Sequence, residues 1–215
     1  MSVLLYADES QWLQLPKQFP TRAGQSAEEW EDHVIEGMRE TWHEPMTPLQ
    51  ETAARAGLRH GLTRVQNEDA LTLQFWPMAA PINVVVHVVA GLLANAEVEP
   101  IPLLSGTYAS VPVVESFSTE SLGEGVEVRY LMPLGDPPVI VGGINYLFRG
   151  PEAFVSVVAE ATVPTLTGLL LDPLREVVGS IEIVDDLEIG QWVRSTVDPS
   201  ILPSRGEPWA LSDAS

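Results

Sequence analysis

The sequence predicts an α+β fold: two N-terminal helices followed by a mostly antiparallel sheet, with a C-terminal helix packed on it. Three observations predict it. Apolar residues recur at helical spacing over 26–63 and again from Pro164. Between Ala70 and Val163 the texture changes to β-branched and alternating runs broken by proline and glycine. The strict strand–helix–strand alternation of a doubly wound nucleotide-binding sheet is absent.

The elements follow in order. Residues 1–25 read as an N-terminal arm, in which Val3–Tyr6 and Trp12–Leu15 form short strands between acidic residues, closed by Pro16 and Pro20. Ser26 and Glu29 have the spacing of a capping box, because the Ser oxygen accepts the third amide of the helix while the Glu reaches back. Ala27, Trp30, Val34, Ile35, Met38 and Trp42 then share one side of the first helix. Thr47-Pro48-Leu49-Gln50 is a second start signal. Leu49, Ala53, Leu58 and Leu62 carry that helix to about Thr63, with Gly57 and Gly61 weakening its end.

Ala70–Trp76 alternates as a half-buried strand does, and Ile82–Leu93 reads as a strand buried on both faces with a bulge near Gly91. Residues 94–106 form an acidic linker. Val111–Phe117 and Gly125–Met132 make one hairpin, and Val139–Phe148 with Ala153–Val163 a second. Pro164-Thr165 opens the last helix, striped by Leu166, Leu169, Leu170, Leu174, Val177 and Val178, and Ile181–Val184 is a final short strand. The expected organisation is the arm, a single α+β domain over 26–184, and an acidic irregular tail over 185–215 anchored by Trp192 and Trp209.

Composition bounds the function. The chain has 215 residues, 45% of them apolar, and a mean hydropathy of +0.10, enough to bury a core. Thirty acidic residues against eleven basic ones give a net charge of −19, which opposes phosphate neutralisation and docking on anionic membranes and favours basic partners. With no cysteine there is no disulfide framework, thiolate metal site or thiol redox chemistry. Met1–Tyr6 carries no basic leader, and Ile82–Ala94 is too short to span a bilayer, so a cytoplasmic protein is expected. The chain has one lysine, Lys17, and its last histidine is His87. Residues 88–215 therefore lack the commonest general base and both the thiol and amine nucleophiles. That inventory favours recognition over catalysis, with no cofactor expected.

Two polar groups stand out. Glu29, His33, Glu36 and Glu40 lie at i, i+4, i+7 and i+11, with His43 and Glu44 just beyond, which places carboxylates and imidazoles on one helix face. Such a face suits a basic partner or a metal, although any surface helix carries a solvated face opposite its apolar stripe. Arg55, Arg59, His60 and Arg64 form the one basic cluster. Arg55 and Arg59 sit one turn apart, positioned to grip a carboxylate or phosphate or simply to complement a helix end.

His87 lies in an apolar run with no Asp or Glu close in sequence placed to orient it, and reads as a hydrogen-bonded core residue. Gly123-Glu-Gly125 and Gly142-Gly143 match no phosphate-loop pattern; the second pair marks a bulge or a close backbone approach. Phe75, Trp76, Tyr108, Tyr130 and Tyr146 either line a pocket or, as strand aromatics usually do, fill the core.

One stretch resembles a known family. Leu71-Thr-Leu-Gln-Phe-Trp-Pro, Ile82-Asn-Val-Val-Val-His-Val, Gly125–Met132, Ile144-Asn-Tyr-Leu-Phe and Ala153–Val163 lead into Pro164-Thr-Leu-Thr-Gly-Leu-Leu-Leu-Asp-Pro-Leu-Arg-Glu-Val-Val-Gly-Ser-Ile. Over about residues 65–185 this order resembles the PsbP-like α/β sandwich superfamily, which includes DcrB-like proteins and secretion-effector chaperones. The resemblance lies in pattern and carries over no site residue. It implies a binding module or accessory factor without catalysis.

The expectation is therefore a non-catalytic protein-binding module, a chaperone, adaptor or accessory factor. Its recognition surface is expected on the face of Glu29, His33, Glu36 and Glu40, on Arg55 and Arg59, on the sheet, or on a combination of these. Two alternatives stand beside it. One is a small-molecule or metal-binding enzyme using Glu29, His33, Glu36 and His43, or His87. The other is a structural homodimeric subunit whose strand edges pair.

Overall fold

Two reciprocal caps set where the first helices begin. The Ser26 amide donates to Glu29 Oε2 at 2.8 Å and the Glu29 amide donates to Ser26 Oγ at 3.2 Å, opening α1 (Ala27–Thr41). The Thr47 amide donates to Gln50 Oε1 at 2.8 Å and the Gln50 amide to Thr47 Oγ1 at 3.3 Å, opening α2 (Pro48–Arg64) with proline in its first turn. The computed structural model describes residues 2–41, 45–76, 83–93, 108–184 and 192–195. The remaining elements are β1 (Ser2–Leu4), β2 (Trp12–Gln14), β3 (Leu71–Phe75), β4 (Val84–Leu92), β5 (Val113–Thr119), β6 (Gly123–Leu134), β7 (Val139–Arg149), β8 (Ala153–Ala159), α3 (Pro164–Gly179) and β9 (Glu182–Val184). The class is α+β with a mostly antiparallel sheet: β1–β9, β2–β3, β3–β4, β5–β6, β6–β7 and β7–β8 all pair antiparallel.

The chain divides into two compact units, Ala7–Val89 and Met1–Tyr6 with Ala90–Ser215, where the sequence reading takes 26–184 as one domain. The first 25 residues do not form a separate arm. β1 pairs with β9, and the Tyr6 amide donates to Ser180 Oγ at 2.9 Å. Trp12 and Leu15 are buried, because β2 pairs with β3 and the Leu15 amide continues that ladder to the Thr72 carbonyl at 2.9 Å.

In the unit Ala7–Val89, Trp30, Ile35 and Met38 of α1 meet Leu58 of α2, Leu15 and Trp76 in one core cluster. The buried face of α2 differs from the expected stripe. Leu49 is 80% exposed and Ala53 is exposed, whereas Ala54, Gly57, Leu58 and Gly61 are buried. The two glycines expected only to weaken the helix form its packing surface. A β-carbon on Gly61 would lie 3.1 Å from Leu15 Cδ1, and one on Gly57 would lie 3.0 Å from the Trp76 ring. Small side chains let the helix approach closely enough for Trp76 and Gln74 to pack against it.

The other unit carries the long hairpins, in the order β8-β7-β6-β5, with α3 on one face burying Leu170, Leu174, Val177 and Val178. Gly142 and Gly143 keep regular register with Leu131 and Tyr130, so they mark a close approach and not a bulge. A β-carbon on Gly142 would meet Thr167 Oγ1 at 2.7 Å, which fixes α3 against β7. Of the aromatics, Phe75, Trp76 and Tyr146 are core residues. Trp42, Ile82, residues 94–106, most of the expected 185–215 tail and Trp209 lie outside the described residues. Among the described residues no helix is long and apolar enough to cross a membrane.

Glycine substitutions separate these roles. Gly168 of α3 has open space around its β-carbon position, so Gly168→Ala is expected to stabilise the protein by about 0.5–1 kcal/mol through helix propensity. Gly61→Ala is expected to destabilise it by about 1–3 kcal/mol by overpacking against Leu15 and Gln74. Urea denaturation of the two variants measures both signs.

Candidate functional site

The residues proposed from the sequence occupy two different environments. Glu29, His33, Glu36 and Glu40 all lie on the exposed side of α1. Glu29 is engaged in the Ser26 cap, which holds its carboxyl below the ordinary range through the Ser26 amide and hydroxyl. Glu36 accepts from Arg39 Nη1 at 2.8 Å. Among the described residues, no group of three His, Cys, Asp or Glu side chains is placed to hold a metal, and His43 and Glu44 lie outside them.

Arg55 and Arg59 do grip a carboxylate, but it belongs to the same chain. Glu31, 6% exposed, receives Arg59 Nε on Oε2 and Arg59 Nη2 on Oε1, both at 2.8 Å. Arg55 Nη1 reaches Glu31 Oε1 and Asp32 Oδ1, each at 2.8 Å, and Arg55 Nε reaches Glu51 Oε1 at 3.1 Å. The two helices are thereby tied by charge-assisted bonds across their contact. Burial raises the Glu31 carboxyl, but the hydrogen bonds from Arg59 and Arg55 outweigh it and hold the group below its ordinary range.

His87 has an orienting carboxylate after all. Its Nδ1 lies 2.7 Å from Asp69 Oδ2, and the Thr72 hydroxyl donates to the same oxygen at 2.7 Å. The register of β3 and β4 sets Thr72 opposite His87, and Asp69 lies just before the start of β3. The signal was the hairpin itself: once the two runs are paired, Asp69 falls beside His87 despite their separation in sequence. The Lys17 ammonium donates to the Asp69 carbonyl oxygen, so the single lysine of the chain braces this corner. An acceptor on Nδ1 fixes the imidazole tautomer as it does in hydrolase triads. Here Asp69 is 2% and His87 6% exposed, and the Thr72 hydroxyl donates to the carboxylate instead of facing the imidazole. The arrangement is that of a buried polar core in which Asp69 Oδ2 takes both contacts and Oδ1 takes no hydrogen bond.

A third buried carboxylate, Glu127, lies beneath α3 at 1% exposure. The Tyr146 hydroxyl donates to its Oε2 at 2.8 Å, while Arg175 contributes Nε to Oε2 at 2.7 Å and Nη2 to Oε1 at 2.9 Å. Arg129 Nε stands 3.1 Å from Oε1 but off the line of a hydrogen bond, and Arg129 Nη2 pairs with Glu115 at 2.6 Å. Burial, reinforced by the Glu127 charge, pushes the Tyr146 phenol up, so it remains a donor at all working pH. This centre fastens the helix to the sheet.

The surface feature that the sequence did not single out is the tip of the β6–β7 hairpin. The register of β5 with β6 reaches Val113 opposite Arg129, and that of β7 with β8 reaches Asn145 opposite Val158. Beyond those points the hairpin continues from Tyr130 to Leu134 and back from Val139 to Ile144. It is braced by the Ala109 amide on the Leu131 carbonyl, by Gly142–Thr162 bonds in both directions, and by Tyr108 against Tyr130 at 5.7 Å between rings. Leu134 through Ile140 are all exposed, with Leu134 at 56%, Val139 at 59% and Ile140 at 41%. Gly135 turns the tip at φ +85°, a region that strains any side chain. Val163, beside the Thr162 bridge, is also exposed.

The buried charges give two tests. Asp69→Ala strands the His87 and Thr72 donors and is expected to cost about 3–5 kcal/mol in urea denaturation, against about 1 kcal/mol for Thr72→Val. A carboxyl depressed in the folded state stabilises above its unfolded pKa, and that stability is lost as pH falls through the folded value. Between about pH 5 and pH 3 the wild type is therefore expected to lose more stability than Glu31→Gln, measured by thermal melts across that window. Compared with known proteins, the chain matches no family model, no curated protein and no solved structure.

Proposed function

We propose that the protein is a cytoplasmic, non-catalytic protein-binding module, a chaperone, adaptor or accessory factor, whose recognition element is the β6–β7 hairpin tip. One observation carries the reading: Leu134, Val139 and Ile140 are exposed together at the end of a braced, protruding hairpin. A monomer gains nothing from displaying such a cluster, and apolar groups presented on a rigid element are what partner grooves bury. The charged clusters support the same reading from the other side. Arg39, Arg55, Arg59, Arg129 and Arg175 are all paired with carboxylates of the chain. The resemblance over residues 65–185 to the PsbP-like sandwiches points to a binding role as well.

Magnitudes narrow the partner. Burying three such side chains is worth about 1.5–3 kcal/mol each, of the same order as the cost of association, about 4–15 kcal/mol. The tip alone therefore supports only a weak complex. The net charge of −19 supplies the complement: the fitting partner has an apolar groove rimmed by Lys and Arg, and the complex weakens with salt.

The test uses a partner that co-purifies stoichiometrically from the native host, re-expressed and titrated in purified form. The triple variant L134S/V139S/I140S is expected to bind at least 100-fold more weakly with an unchanged melting temperature. Binding by the folded triple variant at wild-type strength, or binding indifferent to salt, would overturn the proposal.

A further inference from the structure

At the end of β6 and β7 opposite the hairpin tip, two turns form a slot that holds a piece of extended chain. The β5–β6 turn is closed by the Leu122 amide donating to Thr119 Oγ1 at 2.9 Å, which presents the Leu122 carbonyl and the Glu124 amide outward. Ser195 lies across them as one rung of parallel β-ladder with Gly123: its amide donates to the Leu122 carbonyl at 2.8 Å, and its carbonyl accepts from the Glu124 amide at 2.9 Å. The Ser195 hydroxyl accepts from the Arg149 amide at 2.8 Å, at the other wall of the slot. Ser195 is 2% exposed, while its neighbours Val193 and Arg194 are exposed, so the Ser195 side chain is read in depth.

Both walls are cut away for backbone. A β-carbon on Gly123 would stand 2.6 Å from the Ser195 carbonyl oxygen, and one on Gly150 would stand 2.7 Å from the Val193 carbonyl oxygen. Gly123 also adopts φ +88°, where a side chain is strained. Two glycines, three main-chain hydrogen-bonding groups and one buried hydroxyl position together suit an extended peptide, with main-chain bonds holding the backbone and a small pocket reading one side chain.

We propose that this slot is a peptide-recognition site for an extended segment bearing a small hydroxyl residue, and that Trp192–Ser195 fills it in cis. The contacts are those of a short ligand: two main-chain bonds and one to a side chain. A tethered segment enjoys an effective concentration of about a millimolar, enough to keep such a site closed against weaker external peptides. A partner segment of the same chemistry competes for it.

Full-length S195P tests it, because proline removes the amide that donates to Leu122 and the hydroxyl that Arg149 reads, releasing the segment without shortening the chain. The probe is a fluorescent synthetic peptide with the sequence of residues 189–198, followed by anisotropy. The peptide is expected to bind S195P at least tenfold more tightly than wild type. A peptide with Val in place of the serine is expected to bind S195P about fivefold or more weakly, and one with Pro not at all. Equal binding of the native and Pro peptides to folded S195P, or equal binding of the native peptide to S195P and wild type, overturns the proposal. If S195P lacks a cooperative melt, S195A takes its place. The native peptide must then raise the melting temperature of S195A and leave that of wild type unchanged, and failure to do so equally overturns it.

Discussion

The fold depends on how few cations meet how many carboxylates. With 30 acidic and 11 basic residues, most carboxylates must face water, and any that is buried has to be matched individually. Among the described residues three are buried, and each is matched by groups drawn from a separate element. Glu31 is held by Arg55 and Arg59 of the next helix, Asp69 by His87 and Thr72 of the β3–β4 pair, and Glu127 by Arg175 of α3 and Tyr146 of β7. Each match fixes one packing relation: helix on helix, strand on strand, helix on sheet. A buried ion pair contributes little net stability over an apolar replacement, but half of one is costly, so these centres select one arrangement among those that apolar packing would tolerate.

This engagement of the arginines shapes what is left for recognition. An exterior rich in carboxylates repels like surfaces and draws basic ones, yet carries little positional information by itself. Position is supplied by shape: a braced hairpin with an apolar tip at one end of β6 and β7, and a glycine-walled slot at the other. The face of Glu29, His33, Glu36 and Glu40 contributes to the field more than to geometry, since Glu29 closes its own helix and Glu36 pairs with Arg39.

Local rules made much of this readable. The capping boxes at Ser26 and Thr47 mark the first residues of α1 and α2, and proline marks the start of α3, because these signals lie within one turn of the boundary. The alternating and β-branched runs likewise placed the strands within a few residues of their ends. What remained hidden depends on residues far apart in the chain. Tyr146 and Arg175 lie 19 and 48 positions from Glu127, so the centre under α3 has no sequence pattern. Asp69 becomes the partner of His87 only once the register of β3 and β4 is known. Periodicity also misplaced the buried side of α2, since it counts Leu49 as core and cannot see that Gly57 and Gly61 admit Trp76 and Gln74. The hairpin tip is not legible because the sequence pattern reads Gly125–Met132 and Val139–Phe148 as members of two separate hairpins, whereas these strands also pair with each other.

The most direct test of the account is a double-mutant cycle on Glu127 and Arg175, using E127Q, R175M and the pair in urea denaturation. If matched burial of carboxylates specifies the packing, each single variant is strongly destabilised and the double recovers part of the loss, a coupling of about 1–3 kcal/mol. Additive effects within about 0.3 kcal/mol, with small single losses, would contradict it: the helix would then be held to the sheet by apolar contact alone.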